Sequence, residues 1–407
     1  MRWGSSTTHG SSLAHEFPVL DTLRAIGALA VLTTHAAFQG GAYLRNGVWG
    51  TLLARLDVGV AIFFVLSGFL LARPWLARAS AGDPLPSVRR YYEKRLLRIY
   101  PVYAVAVVVV LVWLPDNDGA GFGTWVSSLL LADPYTSESL PHGLTQMWSL
   151  TAEVAFYAVL PALMWAAVGR RPTLRPGRVV ALVVAMSTVS VVWVVYLADP
   201  LQERSRGVPA LWLPAFATWF AVGIALALVQ VLHHEGRLPT RVQPVIDLAR
   251  MPGVCWTMIA GLLLLVATPV GGPVMFQIGS HGQILTKHLV YAAIGGLMVL
   301  TGVFADRTSG YARLMSLRPL RHLGHISYGI FCIHLAVLAG IYEVTGYTVF
   351  RGDTVQVWLL AVMLSVLAGE LLYRVVELPA TRVSDRWRRE ESMARAPRAA
   401  AHAARTK

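Results

Sequence analysis

The sequence is poor in charged residues and in cysteine. Of its 407 residues, 14% are charged and 55% are hydrophobic, whereas soluble domains average about 25% charged residues. Only two cysteines are present, Cys255 and Cys332, which excludes a small disulfide-stabilised scaffold. The apolar content excludes disorder for most of the length. These values favour a polytopic membrane protein over a soluble globular one.

Several sequence signatures of bound cofactors are also absent. The chain has no H-E-x-x-H pair, no Cys/His ligand cluster, no Walker-type glycine loop and no G-x-S-x-G turn. We therefore expect no metal site and no permanently bound cofactor.

Apolar runs of about 20 residues recur ten times, and they predict an all-α bundle of about ten transmembrane helices. We expect a polar N-terminal segment over residues 1–19, one transmembrane domain over 20–377, and a basic, disordered cytoplasmic tail over 378–407. The predicted spans are 20–38, 57–77, 99–115, 144–168, 178–198, 211–232, 253–270, 284–305, 326–345 and 354–377.

The distribution of basic residues predicts the orientation. With the N-terminus in the cytoplasm, 28 of the 35 Lys and Arg residues fall in or next to cytoplasmic segments and six in or next to outer ones, while Arg24 lies inside the first span. Cytoplasmic loops carry such an excess, so we expect a plasma-membrane protein with both termini inside. The formal net charge of +13 is then explained by topology rather than by nucleic-acid binding.

The first span carries three ionisable residues, Asp21, Arg24 and His35. At 100° per residue, Arg24 and His35 differ by only about 20° around the helix, and Asp21 lies within about 60° of both. Because ionisable groups in a span are costly, this shared face must point into the bundle. The simpler interpretation remains open: Arg24 reaches the interface, Asp21 caps the helix and His35 is structural.

Basic residues precede the third span, and Arg95 and Arg98 are neighbours on one helical face. Paired guanidiniums suit the phosphates of a large anionic cosubstrate. Binding of lipid headgroups is the alternative.

The fourth span places Ser149, Glu153 and Tyr157 along one stripe, with Trp148 near its outer end. Glu153 is expected near mid-membrane, where an imidazole–carboxylate pair with His35 is possible, and a purely structural Glu153 is the alternative. His334, in the ninth span, either lines the same cavity or is a buried core histidine.

Taken in order, these segments resemble the acyltransferase-3 family of integral membrane O-acyltransferases over residues 20–377. Five motifs carry the resemblance: residues 20–30 followed by His35, Val60 to Leu70, Arg95-x-x-Arg98 before Tyr100-Pro101, Trp148-Ser149-Leu150 with Glu153, and residues 327–331 before His334.

The resemblance implies transfer of an acetyl or other short acyl group from cytoplasmic acyl-CoA to the hydroxyl of a sugar, an envelope glycan or a secreted glycoside such as a macrolide. The family's arginine and histidine, separated by ten residues, fall on Arg24 and His35. Its Arg-x-x-Arg pair falls on Arg95 and Arg98.

On this basis we expect Arg95 and Arg98 to bind acyl-CoA, with Arg24 as a further contact. The pantetheine arm is expected to follow the face shared by Arg24 and His35. His35 then removes the acceptor proton or itself takes the acyl group, and the sequence leaves both routes open.

The remaining site residues receive supporting roles. We expect Glu153 to orient His35 or the acceptor, and Trp148 to stack on a sugar ring at the outer mouth. Tyr157 and His334 are assigned to substrate binding. The partners expected are thus acyl-CoA, a hydroxylated carbohydrate or glycoside, and the lipid bilayer, with no nucleic acid.

Two other functions compete with an acyltransferase. A proton-coupled secondary transporter would use Asp21, Arg24, His35 and Glu153 as a proton relay, but the chain shows no internal repeat of the kind common in transporters. A non-catalytic membrane scaffold would leave the charged face of the first span unexplained.

Overall fold

The computed structural model describes residues 17–169, 173–274 and 277–383, and no strand occurs among them. The residues are mainly helical, as predicted. Ten principal helices are α1 Pro18–Gln39, α2 Gly59–Ala81, α3 Val88–Trp113, α4 Met147–Val168, α5 Pro176–Val192, α6 Leu213–His234, α7 Pro252–Val266, α8 His281–Phe304, α9 Arg318–Thr345 and α10 Thr354–Leu372.

Shorter segments join or extend the principal helices. Two π-helical stretches continue α5 and α10, at Trp193–Leu197 and Tyr373–Glu377 respectively. The other short helices and 3-10 turns are Ala42–Arg45, Gly47–Ala54, Arg55–Val58, Pro115–Asn117, Phe122–Leu129, Asp133–Thr136, Ala198–Gln202, Pro209–Leu211, Thr240–Val242, Gln243–Ala249, Pro269–Gly271 and Gly310–Met315.

Nine helical segments of the described residues are long and apolar enough to cross a membrane. The predicted span 253–270 is the exception, because its helix α7 ends at Val266. α7 passes the same test only together with residues 240–249, from which it is bent by 85°. Pro252 explains the bend, since proline lacks an N–H and disfavours helix in the preceding residue.

The seventh helix nevertheless runs across the bundle. It follows α6, whose C-terminal half is tied to α2 by the hydrogen bond from Arg73 Nε to Gln230 Oε1 (2.6 Å). Its last residue, Val266, accepts a hydrogen bond from Arg55 Nε (2.9 Å) just before the other end of α2. With residues 240–266 counted as one bent span, the described residues have ten candidate membrane spans, in agreement with the prediction of about ten.

Glycine residues permit the closest helix contacts. A Cβ atom on Gly59 would lie 2.3 Å from the Gly27 carbonyl oxygen of α1, and one on Gly68 would lie 2.2 Å from the Phe220 carbonyl oxygen of α6. Another such contact joins α9 to α1, because a Cβ on Gly324 would lie 1.9 Å from the Asp21 carbonyl oxygen. These approaches fix α1 between α2 and α9.

The direction of the helices follows from these contacts. α1 and α9 are parallel, since Gly324 meets Asp21 and His334 meets His35. α10 runs antiparallel to α1, because Thr354 at its start contacts Gly40 just beyond the end of α1. α1 therefore begins, and α10 ends, at the same end of the bundle, which we call the arginine end.

The two predicted terminal segments lie partly outside the described residues. The structure does not describe residues 1–16 of the predicted N-terminal segment or residues 384–407 of the predicted tail. The last helical span extends to Val383, six residues beyond the predicted end of the transmembrane domain.

Candidate functional site

A cavity opens among α1, α2, α3, α4 and α9 at the arginine end, and we call it the arginine cavity. Three of the predicted site arginines lie on its wall, contributed by α1 and α3. The residues of its wall that matter here are Arg24, Arg95, Arg98, Ser67, Glu153, Tyr157, Phe63 and Phe331. The structure therefore brings together the cationic groups that the sequence assigned to acyl-CoA binding.

Arg95 and Arg98 have no hydrogen bond or ion pair within the described part of the chain. Both side chains are half-buried on the first turns of α3, where their positive charges lie close enough to repel each other. Two neighbouring guanidiniums without a direct ion pair favour an anionic ligand, and each offers a planar set of donors for phosphate oxygens.

The Asp21 carboxylate contacts two arginines and a histidine at the arginine end. Its Oδ1 atom lies 3.4 Å from Arg24 Nη1, and its Oδ2 atom lies 3.3 Å from Arg321 Nε and 3.4 Å from His325 Nε2. The carboxylate is almost completely buried, so it serves as more than a helix cap. The sequence missed Arg321 and His325, because they lie 300 residues or more from Asp21 and share no local motif with it.

Glu153 occupies a different place from the one expected. Its Oε1 atom accepts hydrogen bonds from the Ser67 and Tyr157 hydroxyls, which places the carboxylate on the wall of the arginine cavity. The possible pairing with His35 is not seen among the described residues, where the partner of the His35 ring is His334. Tyr157 lines the cavity, and Tyr91 donates a hydrogen bond to its carbonyl oxygen (3.1 Å).

His35 and His334 form a pair deeper in the bundle. His35 Nδ1 lies 3.0 Å from His334 Nε2, and the two rings stack with centroids 5.1 Å apart. His334 is fully buried and its Nδ1 lies 2.7 Å from the Phe331 carbonyl oxygen. His334 is thus the partner of His35 rather than part of an open substrate surface.

The hydrogen bonds of the pair define its protonation. The Phe331 carbonyl can only accept, so His334 Nδ1 carries the proton and, in a neutral ring, His334 Nε2 accepts. His35 Nδ1 must then donate to it, which leaves His35 Nε2 unprotonated. A histidine held in this tautomer is prepared to accept a proton through Nε2.

Trp148 is half-buried and packs against other aromatic residues. Its ring lies on Phe216 with centroids 5.0 Å apart, beside an aromatic stack in which Phe220 lies between Phe64 and Phe156. It is absent from the wall of the arginine cavity. Stacking of Trp148 on a sugar ring stays a prediction.

The expected continuous route from the arginines to His35 is interrupted. Neither His35 nor His334 lines the arginine cavity, and the Phe63 and Phe331 rings on its wall meet edge to face with centroids 6.3 Å apart. On the α1 face between Arg24 and His35, Ala28 and Val31 are packed with 1% and 2% of their surface exposed.

Comparison with known proteins supports a single family. The family model described as Acyltransferase domain, that of the acyltransferase-3 family, matches residues 17–374. Peptidoglycan O-acetyltransferase OatA of Listeria monocytogenes is 24% identical over 380 residues, which are 89% of this chain and 55% of that relative. The chain thus spans about half the length of this relative.

Other relatives differ in how much of their length is covered. Acyltransferase MdmB of Streptomyces mycarofaciens is 28% identical over 402 residues, which are 91% of this chain and 93% of that protein. Nodulation protein 10 of Rhizobium leguminosarum is 31% identical over 253 residues, which are 55% of this chain and 62% of that protein. No solved structure matches the chain.

Proposed function

This chain belongs to the acyltransferase-3 family, and on that premise we propose that it is a membrane O-acyltransferase. It moves an acetyl or other short acyl group from cytoplasmic acyl-CoA to a hydroxyl of a sugar, an envelope glycan or a secreted glycoside such as a macrolide. The observation that carries this proposal is the arrangement of two unpaired arginines on a cavity whose deep end adjoins a histidine pair.

The donor binds at the arginine end, which faces the cytoplasm. Arg95 and Arg98 hold the phosphates of CoA, and Arg24 supports them from α1. The hydrogen-bonded group of Ser67, Glu153 and Tyr157 lies next to them and orients the polar pantetheine arm. No group needs to be bound permanently, because acyl-CoA is a substrate that enters and leaves.

The chemical step takes place at His35. Its Nε2 atom removes the proton of the acceptor hydroxyl while that oxygen attacks the thioester carbonyl carbon. A carbon–oxygen bond forms and the carbon–sulfur bond breaks. The sulfur leaves with the bonding electron pair and takes the proton from the His35 imidazolium, so the products are the O-acyl ester and CoA thiol.

The acceptor is proposed to be carbohydrate in nature. The Listeria relative is named a peptidoglycan O-acetyltransferase, and this family relationship supports a glycan hydroxyl as the acceptor. The acceptor reaches His35 from the end opposite the arginines.

Replacing His35 tests the proposal directly. His35→Ala should reduce transfer from acetyl-CoA by at least about a hundredfold, because general-base catalysis contributes on this order. The assay measures CoA thiol released by protein in lipid nanodiscs, with chitotetraose or a macrolide glycoside as acceptor. His234→Ala, at the exposed end of α6, is the control and should keep full activity. Turnover near the wild-type level in the correctly folded His35→Ala variant would remove His35 from the mechanism.

A further inference from the structure

Two aromatic rings of the cavity wall lie beside the histidine pair. The Phe63 and Phe331 rings meet edge to face, with centroids 6.3 Å apart and planes at 63°. Both line the arginine cavity, and the Phe331 ring lies 6.0 Å from the His334 ring. A passage from the cavity to His334 along α9 would run past these two rings.

The position of Phe63 depends on Gly27. A Cβ atom added to Gly27 would lie 3.2 Å from Phe63 Cε2 and 3.2 Å from the Gly59 carbonyl oxygen. The missing side chain therefore leaves the space that the Phe63 ring occupies between α1 and α2. Phe63 is half-buried and its side chain lines the cavity.

Phe331 is fixed more firmly than Phe63. Only 8% of its surface is exposed, and its carbonyl oxygen accepts the hydrogen bond from His334 Nδ1. A movement of Phe63 can thus open the passage while the backbone of Phe331 keeps the histidine pair in place.

From this arrangement we propose that Phe63 and Phe331 form an aromatic gate that sets the length of the acyl group. The inference rests on the proposed function and adds the determinant of donor specificity. A short acyl group on the narrow pantetheine thioester passes between the rings to His35, whereas a longer chain meets the ring faces and stays in the cavity.

The gate predicts how donor preference changes when a ring is removed. Phe63→Ala and Phe331→Ala should raise the ratio of kcat/KM for hexanoyl-CoA to that for acetyl-CoA at least tenfold. Phe63→Leu keeps apolar volume at the site, so it should give an intermediate ratio. This variant can be measured even if an alanine variant fails to fold. The matched control is Phe156→Ala, which removes a fully buried ring that stacks on Phe220 at 4.0 Å and does not line the cavity.

The measurements are CoA thiol release with acetyl-, butyryl-, hexanoyl- and octanoyl-CoA, on protein in nanodiscs with the acceptors named above. A shift in the Phe63 and Phe331 variants, with an unchanged profile in Phe156→Ala, supports the gate. If every variant transfers acetyl groups and shows the same donor chain-length profile as wild type, the gate is overturned and the proposed function is left intact. Absence of transfer by the wild-type protein from every donor contradicts the proposed function and the gate together.

Discussion

At the scale of single residues, the most informative contact is the one between His35 and His334. These residues are 299 positions apart, yet their hydrogen bond and the one to the Phe331 carbonyl set the tautomer of both rings. The sequence identified both histidines, but it could not show that they pair, because helix periodicity gives the face of a residue and not its neighbour on another helix.

This tautomer assignment predicts the effect of changing His334. His334→Ala removes the acceptor for His35 Nδ1, so we expect kcat to fall by about a hundredfold. His334→Gln offers a side-chain oxygen that accepts the same hydrogen bond, and it should retain at least about ten times the activity of the alanine variant.

Separate measurement of kcat and KM distinguishes a role of His334 in positioning His35 from a general structural defect. Because His334 does not line the arginine cavity, KM for acetyl-CoA should stay within about twofold of wild type in both variants. Equal losses in the Ala and Gln variants, or a KM that rises with the fall in kcat, would contradict the positioning role.

At the scale of helices, the site depends on how closely α1 and α9 approach. Gly324 lies against the Asp21 backbone, and the same two helices carry the histidine pair and all three side chains that contact the Asp21 carboxylate. Apolar runs predicted the helices themselves well. Their closest contacts could not be predicted, because a glycine in a span gives no indication of which helix it meets.

A pair of glycine substitutions on α9 tests this dependence. An added methyl group at Gly324 would lie 1.9 Å from the Asp21 carbonyl oxygen, and overpacking of this kind costs about 1–3 kcal/mol. Gly324→Ala should therefore lower the thermal midpoint and reduce acyl transfer at least tenfold, as α9 moves away from α1.

The control lies on the same helix. An added Cβ at Gly340 has no atom within 4 Å, so Gly340→Ala should leave activity unchanged and the thermal midpoint equal or higher, because alanine favours helix over glycine. Thermal unfolding in detergent and the thiol-release assay measure both quantities. If Gly324→Ala behaves like Gly340→Ala, the close approach of α1 and α9 is not required.

At the scale of the whole molecule, the ten helices form a bundle with two distinct ends. Arg24, Arg95 and Arg98 lie around a cavity at one end, and the histidine pair lies deeper, beyond the aromatic gate. The sequence predicted the number of crossings and the arginine group, since composition and spacing suffice for both. It did not predict the closed passage, which depends on ring packing between α2 and α9.

The central claim is that acyl-CoA binds at the arginine end, and the most direct test is calorimetric titration of acetyl-CoA into the protein in nanodiscs. The Arg95→Ala/Arg98→Ala double variant should bind acetyl-CoA at least tenfold more weakly than wild type, because it loses both unpaired guanidiniums of the cavity. Arg313→Ala, an exposed arginine outside the cavity, should bind like wild type. Equal affinity of wild type and the double variant for acetyl-CoA would contradict the account.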